Sequence, residues 1–400
     1  MSVKSLKKIS ELKLIIILGL VQFIDILEFM AVMPLGPDYA LDFEINITKL
    51  GYAAICYTVS AAISGVLSAT YIDRFERKKA MIFVFFGLIS ASFMASNAKT
   101  YEFFLFARFF SGIFGGPTTA LTFAIIADLV VPERRGYVIG KVMSAFSFAA
   151  TLGVPCCLYL SRSVGWREAF FGIFAIGLII LFLIILFLPK NSNPAKFQKL
   201  ANKVSFSSLT RSNVFLLAYL ISGLGMLAAF MIIPYVSAYL QFNYSLEREQ
   251  VEHFYFLGGI VSFITVQFIG NVVDKRGSTF VAAISIGIIV CSLLVGFIYK
   301  LNIKPAYLIF IPFMAGMAMR NIANSTVISR IPSEHERAGF MSIISLFQHV
   351  FSAIGSYFTS VITVQSLPTA PIENMNLVAI FAIMIFILYF FVLRVVERKV

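Results

Sequence analysis

Two acidic residues lie inside the first long apolar stretch of the sequence. Asp25 and Glu28 are separated by three positions, and Gln22 precedes Asp25 by about one helical turn. A charged side chain at the centre of a bilayer costs roughly 2.5–3.5 kcal/mol on insertion scales. Two carboxylates on neighbouring faces of one helix also resist ionising together in a low dielectric. This arrangement favours proton exchange or substrate binding, and a purely structural pair satisfied by hydroxyl groups and a basic residue is the alternative.

Other polar residues lie within apolar stretches farther along the chain. Two are arginines, Arg108 and Arg320, whose guanidinium groups stay charged at neutral pH. The remaining candidates for a polar wall around a substrate are Asn321, Asn324, Gln348, His349, Tyr219 and Tyr235. Tyrosines can stack on aromatic or sugar-like substrates but also favour membrane interfaces, and a lone histidine can be hydrogen-bonded structure or a proton carrier.

The composition indicates which solvent surrounds these residues. The chain has 400 residues, of which 59% are hydrophobic and 13% are charged, whereas soluble proteins have roughly 25% charged residues. The net charge of +12 does not indicate nucleic-acid binding, because the basic residues lie in short gaps between apolar stretches rather than on one soluble domain. That distribution is typical of a protein that crosses the membrane many times.

Twelve apolar stretches are long enough to cross a bilayer, since a hydrocarbon core of roughly 30 Å needs about 20 helical residues. We predict these spans at 14–35, 48–70, 79–97, 102–128, 136–160, 167–189, 213–240, 250–273, 279–299, 304–330, 337–364 and 373–395. Lys and Arg concentrate in alternate gaps and at both chain ends, whereas the acids divide evenly. By the positive-inside rule, both termini are therefore expected in the cytoplasm.

Two short phrases occur once in each half of the sequence. Asp73-Arg74-Phe75-Glu76-Arg77-Lys78-Lys79 has a counterpart in Asp274-Lys275-Arg276-Gly277, and Pro132-Glu133-Arg134-Arg135-Gly136 has one in the stretch from Pro332 to Gly339. Both pairs are offset by nearly the same interval, half the chain. This duplication predicts six spans in residues 1–189 and six in 213–400, joined by a cytoplasmic linker at 190–212 that is either amphipathic or a disordered tether.

With these phrases in place, the chain resembles the major facilitator superfamily over essentially its full length. That family's loop between spans 2 and 3 reads G-x-x-x-D-[RK]-x-G-[RK]-[RK], and Gly270-Asn271-Val272-Val273-Asp274-Lys275-Arg276-Gly277 fits its first part. The first copy has Ala69 and Glu76 in place of the glycines. Arg108-Phe109-Phe110-Ser111-Gly112 is similar to the R-x-x-x-G of drug/proton antiporters. Gly153-Val154-Pro155 and Gly165-Trp166-Arg167-Glu168-Ala169-Phe170 resemble patterns of twelve-helix drug and sugar exporters, although Val154 separates a glycine and a proline that are usually adjacent.

The resemblance implies roles for several residues. Spans 1 and 4 line the cavity in this superfamily, and Glu28 and Arg108 lie at similar depths, roughly 10 Å from the outer ends of their spans. We therefore predict that Arg108 faces an acid of span 1, most simply Glu28, and that Asp25, Glu28 and Arg108 couple transport to protons; a purely structural role for Arg108 is the alternative. The resemblance also implies a cytoplasmic gate, formed by Asp73, Arg74, Arg77, Asp128, Asp274 and Lys275.

The leading functional hypothesis is a proton-coupled exporter of drugs, sugars or metabolites in the bacterial inner membrane, working by alternating access. Proton-coupled uptake of a metabolite uses the same fold and is the alternative. A non-transporting receptor would not need titratable groups in the membrane, and an enzyme is not expected because the sequence contains no nucleophile triad, metal set or phosphate loop. The expected partners are a small-molecule substrate, protons and lipid, with no nucleic acid and no cofactor beyond the proton gradient, and we expect a monomer.

Overall fold

The computed structural model of the protein describes residues 10–71, 75–189, 212–299, 310–333, 336–367 and 369–399. The described residues are almost entirely helical and contain one isolated β-bridge, between Val364 and Glu373. The helices are α1 Glu11–Ala31, α2 Gly36–Asp42, α3 Leu50–Tyr71, α4 Arg77–Ser96, α5 Tyr101–Leu129, α6 Pro132–Met143, α7 Ala145–Phe148, α8 Val154–Ser163, α9 Trp166–Phe187, α10 Asn213–Asn243, α11 Arg248–Arg276, α12 Ser278–Leu293, α13 Ile311–Arg330, α14 Arg337–Ile362 and α15 Met375–Glu397.

Eleven of the described helical segments are long and apolar enough to cross a membrane. The remaining predicted span, 304–330, corresponds to α13, which has 20 residues; its polar residues Arg320, Asn321 and Asn324 lower its hydropathy, and 300–309 lie outside the described residues. The predicted all-α membrane fold is confirmed. The cytoplasmic placement of the termini stays a prediction, and so do the domain boundaries, because 190–211 of the proposed linker lie outside the described residues.

Local sequence explains where several helices begin, end or change form. Ser10 accepts a hydrogen bond from the backbone of Lys13 at the start of α1, and Thr100 caps α5 in the same way. Span 1 ends at Ala31 rather than at the predicted residue 35 and is followed by a turn and α2. Span 5 consists of α6, α7, a π-helical turn at Ala149–Gly153 and α8. The π turn directly precedes Pro155, which cannot donate a backbone hydrogen bond within a helix.

The two halves of the chain contact each other along two pairs of helices. In one pair α3 packs against α14, and in the other α8 and the preceding π turn pack against α11. Glycines permit the close approach. A methyl group at Gly259 of α11 would lie 2.7 Å from the Cα of Thr151, and one at Gly51 would lie 2.8 Å from the carbonyl oxygen of Ser356. The backbones of the two halves therefore touch directly, and small changes at these contacts bear on how the halves move.

Candidate functional site

The predicted contact between Glu28 and Arg108 is present in the structure. Glu28 on α1 and Arg108 on α5 are both fully buried and form an ion pair through Arg108 Nη1 and Glu28 Oε1. The same Nη1 donates to the backbone oxygen of Glu28 at 3.3 Å, and Ser111 Oγ donates to the second carboxylate oxygen. Both oxygens of Glu28 therefore have a donor, which offsets part of the cost of burying the charge.

Asp25 lies one turn before Glu28 in a second polar group. Its Oδ2 accepts a hydrogen bond from Thr119 Oγ1 at 3.2 Å, and the same hydroxyl lies 3.2 Å from Gln22 Oε1. The side-chain amide of Gln22 donates to Thr122 Oγ1 at 3.0 Å. Asp25 Oδ1 is buried without a partner of good hydrogen-bond geometry among the described residues, and the Tyr57 hydroxyl lies close to it.

Tyr57 of α3 connects these acids to the other half of the protein, although it was not among the site residues predicted from the sequence. The Arg108 guanidinium carbon lies 5.2 Å from the centroid of the Tyr57 ring, which also contacts Phe29 of α1 at 4.7 Å. On another side, the ring of His349 from α14 lies 6.5 Å away, edge to face. The Tyr57 hydroxyl and Asp25 Oδ1 both lie beside Gly115. Among the described residues, Tyr57 therefore lies between His349 and the acidic group and contacts both.

Small residues of α5 make this site possible. A side chain at Gly112 would overlap Ser60 Oγ and the carbonyl oxygen of Tyr57, and one at Gly115 would overlap the Tyr57 hydroxyl. Helix α5 therefore lies close enough to α3 for Arg108 to pack on the ring of Tyr57. The sequence phrase Arg108 to Gly112 thus supplies both the cation and the close approach of the helix that receives it.

The polar residues predicted for the second half are placed in three different settings. Arg320 and Asn324 are buried and Asn321 is exposed, and Arg320 Nη2 donates to Asn321 Oδ1 at 2.6 Å. Gln348 and His349 are half-buried on α14. The two tyrosines are fully buried: Tyr219 stacks on Phe347 at 5.4 Å, and Tyr235 donates to the backbone oxygen of Thr48 at 3.0 Å.

The predicted cytoplasmic gate is described in part. Arg77 Nε and Asp128 Oδ2 form an ion pair at 3.0 Å, as their proposed proximity requires. Asp73 and Arg74 lie outside the described residues, and Asp274 and Lys275 are exposed. In the second copy Gly277 adopts φ +84°, which favours glycine. Glu397 of α15 accepts from the backbone amides of Ser278 and Thr279 at 2.6 Å and so caps α12 there, a contact the sequence did not suggest.

A second cluster joins the halves at the end where α8 finishes and α11 begins, which the topology predicts to be outside the cell. We call it the outer cluster: Asp38, Ser161, Arg162, Arg248, Glu249 and Glu252. Arg162 pairs with Glu249 at 3.1 Å and with Glu252 at 3.4 Å. Buried Asp38 pairs with Arg248 of the other half and accepts from Ser161. These contacts hold the outer ends of the halves together in this conformation.

Comparison with known proteins places the chain in a family. Residues 18–356 match the model of the Major Facilitator Superfamily. An uncharacterised MFS-type transporter of Bacillus subtilis, YtbD, is 26% identical over 86% of this chain and 85% of its own length. Multidrug resistance protein MdtL of Shewanella oneidensis is 25% identical over 40% of this chain and 41% of its own length.

Solved structures share the fold at low sequence identity. A bacterial homologue of the human lysosomal transporter Spinster, in an inward-facing and occupied conformation, is 13% identical with a TM-score of 0.76, covering 96% of each chain. A D-xylose–proton symporter is 16% identical with a TM-score of 0.74, again covering 96% of each chain. The chain is therefore a multi-pass membrane protein and not an enzyme, and it belongs to the Major Facilitator Superfamily of transporters.

Proposed function

We propose that the protein is a proton-coupled antiporter that exports small organic molecules by alternating access of its two halves. The observation that carries this proposal is the fully buried Glu28–Arg108 ion pair beside Asp25. Intramembrane acids and bases are costly and are kept mainly for substrate pathways and proton relays. Here Arg108 pairs with Glu28, and the second acid, Asp25, lies one helical turn away in its own hydrogen bond with Thr119.

Protonation of Glu28 would change what holds Arg108. Two unit charges 4 Å apart attract by about 4 kcal/mol at an effective dielectric of 20, and a neutral Glu28 forfeits that attraction. Arg108 Nε and Nη2 have no hydrogen-bond acceptor among the described residues. A released guanidinium therefore has donors ready for Asp25 or for a substrate oxygen, which couples the proton to the contents of the cavity.

The contacts of Tyr57 offer a path from this event to the motion of the halves. Its ring packs on Arg108 in the first half and on His349 in the second. Phe29 of α1 similarly stacks with Phe230 of α10, with centroids 5.8 Å apart. A displacement of Arg108 would therefore disturb rings that lie between the two halves, where alternating access requires a change.

Export is favoured over uptake by two observations. The phrase Arg108 to Gly112 is similar to the R-x-x-x-G of drug/proton antiporters, and part of the chain is similar to the multidrug resistance protein MdtL. Proton-coupled uptake is the second candidate for two reasons. The fold is similar to that of a D-xylose–proton symporter, and Val154 separates the glycine and the proline that are adjacent in the exporter pattern. In either mode we expect the protein to work as a monomer without a cofactor.

Reconstitution into liposomes tests the direction and the coupling. With an inward proton gradient and a panel of drugs and sugars, movement of a compound against the proton flow supports export, and movement with it supports uptake. Glu28→Gln should abolish gradient-driven transport, whereas Glu102→Gln, at an exposed acid in the first turn of α5, is the matched control and should transport normally. Full gradient-driven activity in both Glu28→Gln and Asp25→Asn would refute the coupling assignment.

A further inference from the structure

Arg320 differs from Arg108 in having no acidic partner. It is 2% exposed and lies ten residues before the end of α13 at Arg330, which is about 15 Å along the helix and near the middle of a bilayer core. No carboxylate forms an ion pair with it among the described residues. The placement of the acids explains this, because each described acid after residue 212 lies within four residues of a helix end: Glu247, Glu249, Glu252, Asp274, Glu336, Glu373 and Glu397.

The surroundings of Arg320 satisfy its guanidinium only in part. Nη2 donates to Asn321 Oδ1 at 2.6 Å, and the ring of Tyr389 lies 5.7 Å from the guanidinium carbon. Nε has no acceptor, and Asn324 Oδ1, one turn farther along α13, has no donor. A guanidinium cannot shed its proton to escape burial as a lysine can, so the positive charge remains uncompensated.

The helix packing leaves room for this charge. Gly225 of α10 lies against Arg320 Nη1, and any side chain at that position would overlap the guanidinium. Asn321, which holds the guanidinium through a neutral oxygen, is exposed at mid-depth of α13. A carboxamide exposed there is better placed beside a water-filled space than in hydrocarbon. An anionic oxygen arriving from that space would meet Asn321 first and could replace its oxygen on Arg320.

We infer that Arg320 is the binding site for an anionic group, and that the transported substrate is a small organic anion carrying a carboxylate or a phosphate ester. This inference rests on the proposed transport function and names the class of its substrate. The bidentate geometry of a guanidinium suits both kinds of anion. Arg108 is occupied by Glu28, so the two buried arginines serve different anions: one from the protein and one from the substrate.

The first test needs no substrate. Arg320→Met removes a buried charge that has no acidic partner, so its thermal midpoint in detergent should equal or exceed that of the wild type. Arg108→Met removes the partner of Glu28 and should lower the midpoint by several degrees. A midpoint for Arg320→Met that falls as far as that of Arg108→Met would overturn the inference, because the charge would then be structural.

The second test measures ligand class by thermal shift in detergent, where no proton gradient exists. The probes are benzoate, gluconate and glucose 6-phosphate, with benzamide, benzylamine and glucose as neutral or cationic analogues. At least one anion should stabilise the wild type. Its affinity for Arg320→Gln should be lower by roughly tenfold or more, and its affinity for Arg320→Lys should lie between the two. Comparing the shifts produced by benzoate and gluconate with that produced by glucose 6-phosphate separates carboxylates from phosphate esters.

Two outcomes would refute the anion site. In the first, no anion stabilises the wild type, whether or not the amine or the neutral probes do. In the second, an anion raises the thermal midpoint of Arg320→Gln as much as that of the wild type. Failure of proton coupling is recognised separately. It would appear as full gradient-driven transport in both Glu28→Gln and Asp25→Asn, and it would leave these shifts unaffected.

Discussion

Replacing Arg162 with glutamine should loosen the outer ends of the two halves. Arg162 of α8 pairs with Glu249 at 3.1 Å and Glu252 at 3.4 Å, both on α11. These are contacts between the halves, so they stabilise this conformation and not one in which the outer ends separate. The substitution keeps a polar side chain of similar length while removing the charge.

The size of the effect follows from exposure. The side chains of Arg162 and Glu249 are 34% and 57% exposed, and such pairs contribute about 0.2–1 kcal/mol each. Glu252 Oε2 is near Arg162 without hydrogen-bond geometry, so we take about 1 kcal/mol for the two contacts together. This corresponds to roughly a fivefold shift in the ratio of outer-closed to outer-open molecules.

Distances between pairs of spin labels, measured by double electron–electron resonance, can detect such a shift. In a variant whose four cysteines are replaced by serine, labels at the exposed positions Glu102 and Glu373 report the outer separation. Arg162→Gln should increase the long-distance population, and 1 M salt should move the wild type the same way, since the Debye length falls to about 3 Å.

The matched control is Arg167→Gln. Arg167 pairs with Asp42 at 2.8 Å, with exposures of 31% and 39%, but both residues belong to the first half. Its loss should leave the label distances unchanged. Equal distance distributions in the wild type, Arg162→Gln and Arg167→Gln would refute the idea that the outer cluster holds the halves together.

Two further substitutions probe the contact of Tyr57 with the acidic site. Tyr57→Phe keeps the ring on Arg108 and His349 but removes the hydroxyl beside Asp25. The free energy of unfolding should change by no more than about 1 kcal/mol, while the pH dependence of transport should shift. An unaltered pH profile would exclude the hydroxyl from coupling. Gly112→Val should sharply reduce the yield of folded protein in size-exclusion chromatography, because the new side chain would overlap α3. The control Gly19→Val, with nothing within 4 Å of the added Cβ, should fold normally. Equal yields would contradict the packing described for α5.

The sequence predicted best those features that depend on the bilayer. A run of apolar residues must be a helix in lipid, since its backbone groups find no other partners, so the spans were predictable to within a few residues apart from the early end of span 1. The Glu28–Arg108 contact was predicted from two premises together: the two residues lie at similar depth, and the family resemblance implies that spans 1 and 4 line the same cavity.

The contacts of Tyr57 and Arg162 could not be predicted in that way. They depend on how the first half docks against the second, and neither hydropathy nor charge spacing encodes that arrangement. Tyr235 illustrates the same limit: an intramembrane tyrosine can face a substrate, but here its hydroxyl donates to the backbone of Thr48 across the junction between the halves.

The distribution of buried charge gives the two halves different tasks. The first half holds Asp25, Glu28 and Arg108, so its net charge changes when a proton arrives. In the second half Arg320 is buried near the middle of its span, and the described acids lie within four residues of a helix end. If Arg320 binds an anion, substrate neutralises the second half just as a proton neutralises the first. Each half is then least costly to bury when its own ligand is bound. Competition between them would pass through contacts of the second half beside the acidic site, such as that of Tyr57 with His349 and that of Phe29 with Phe230.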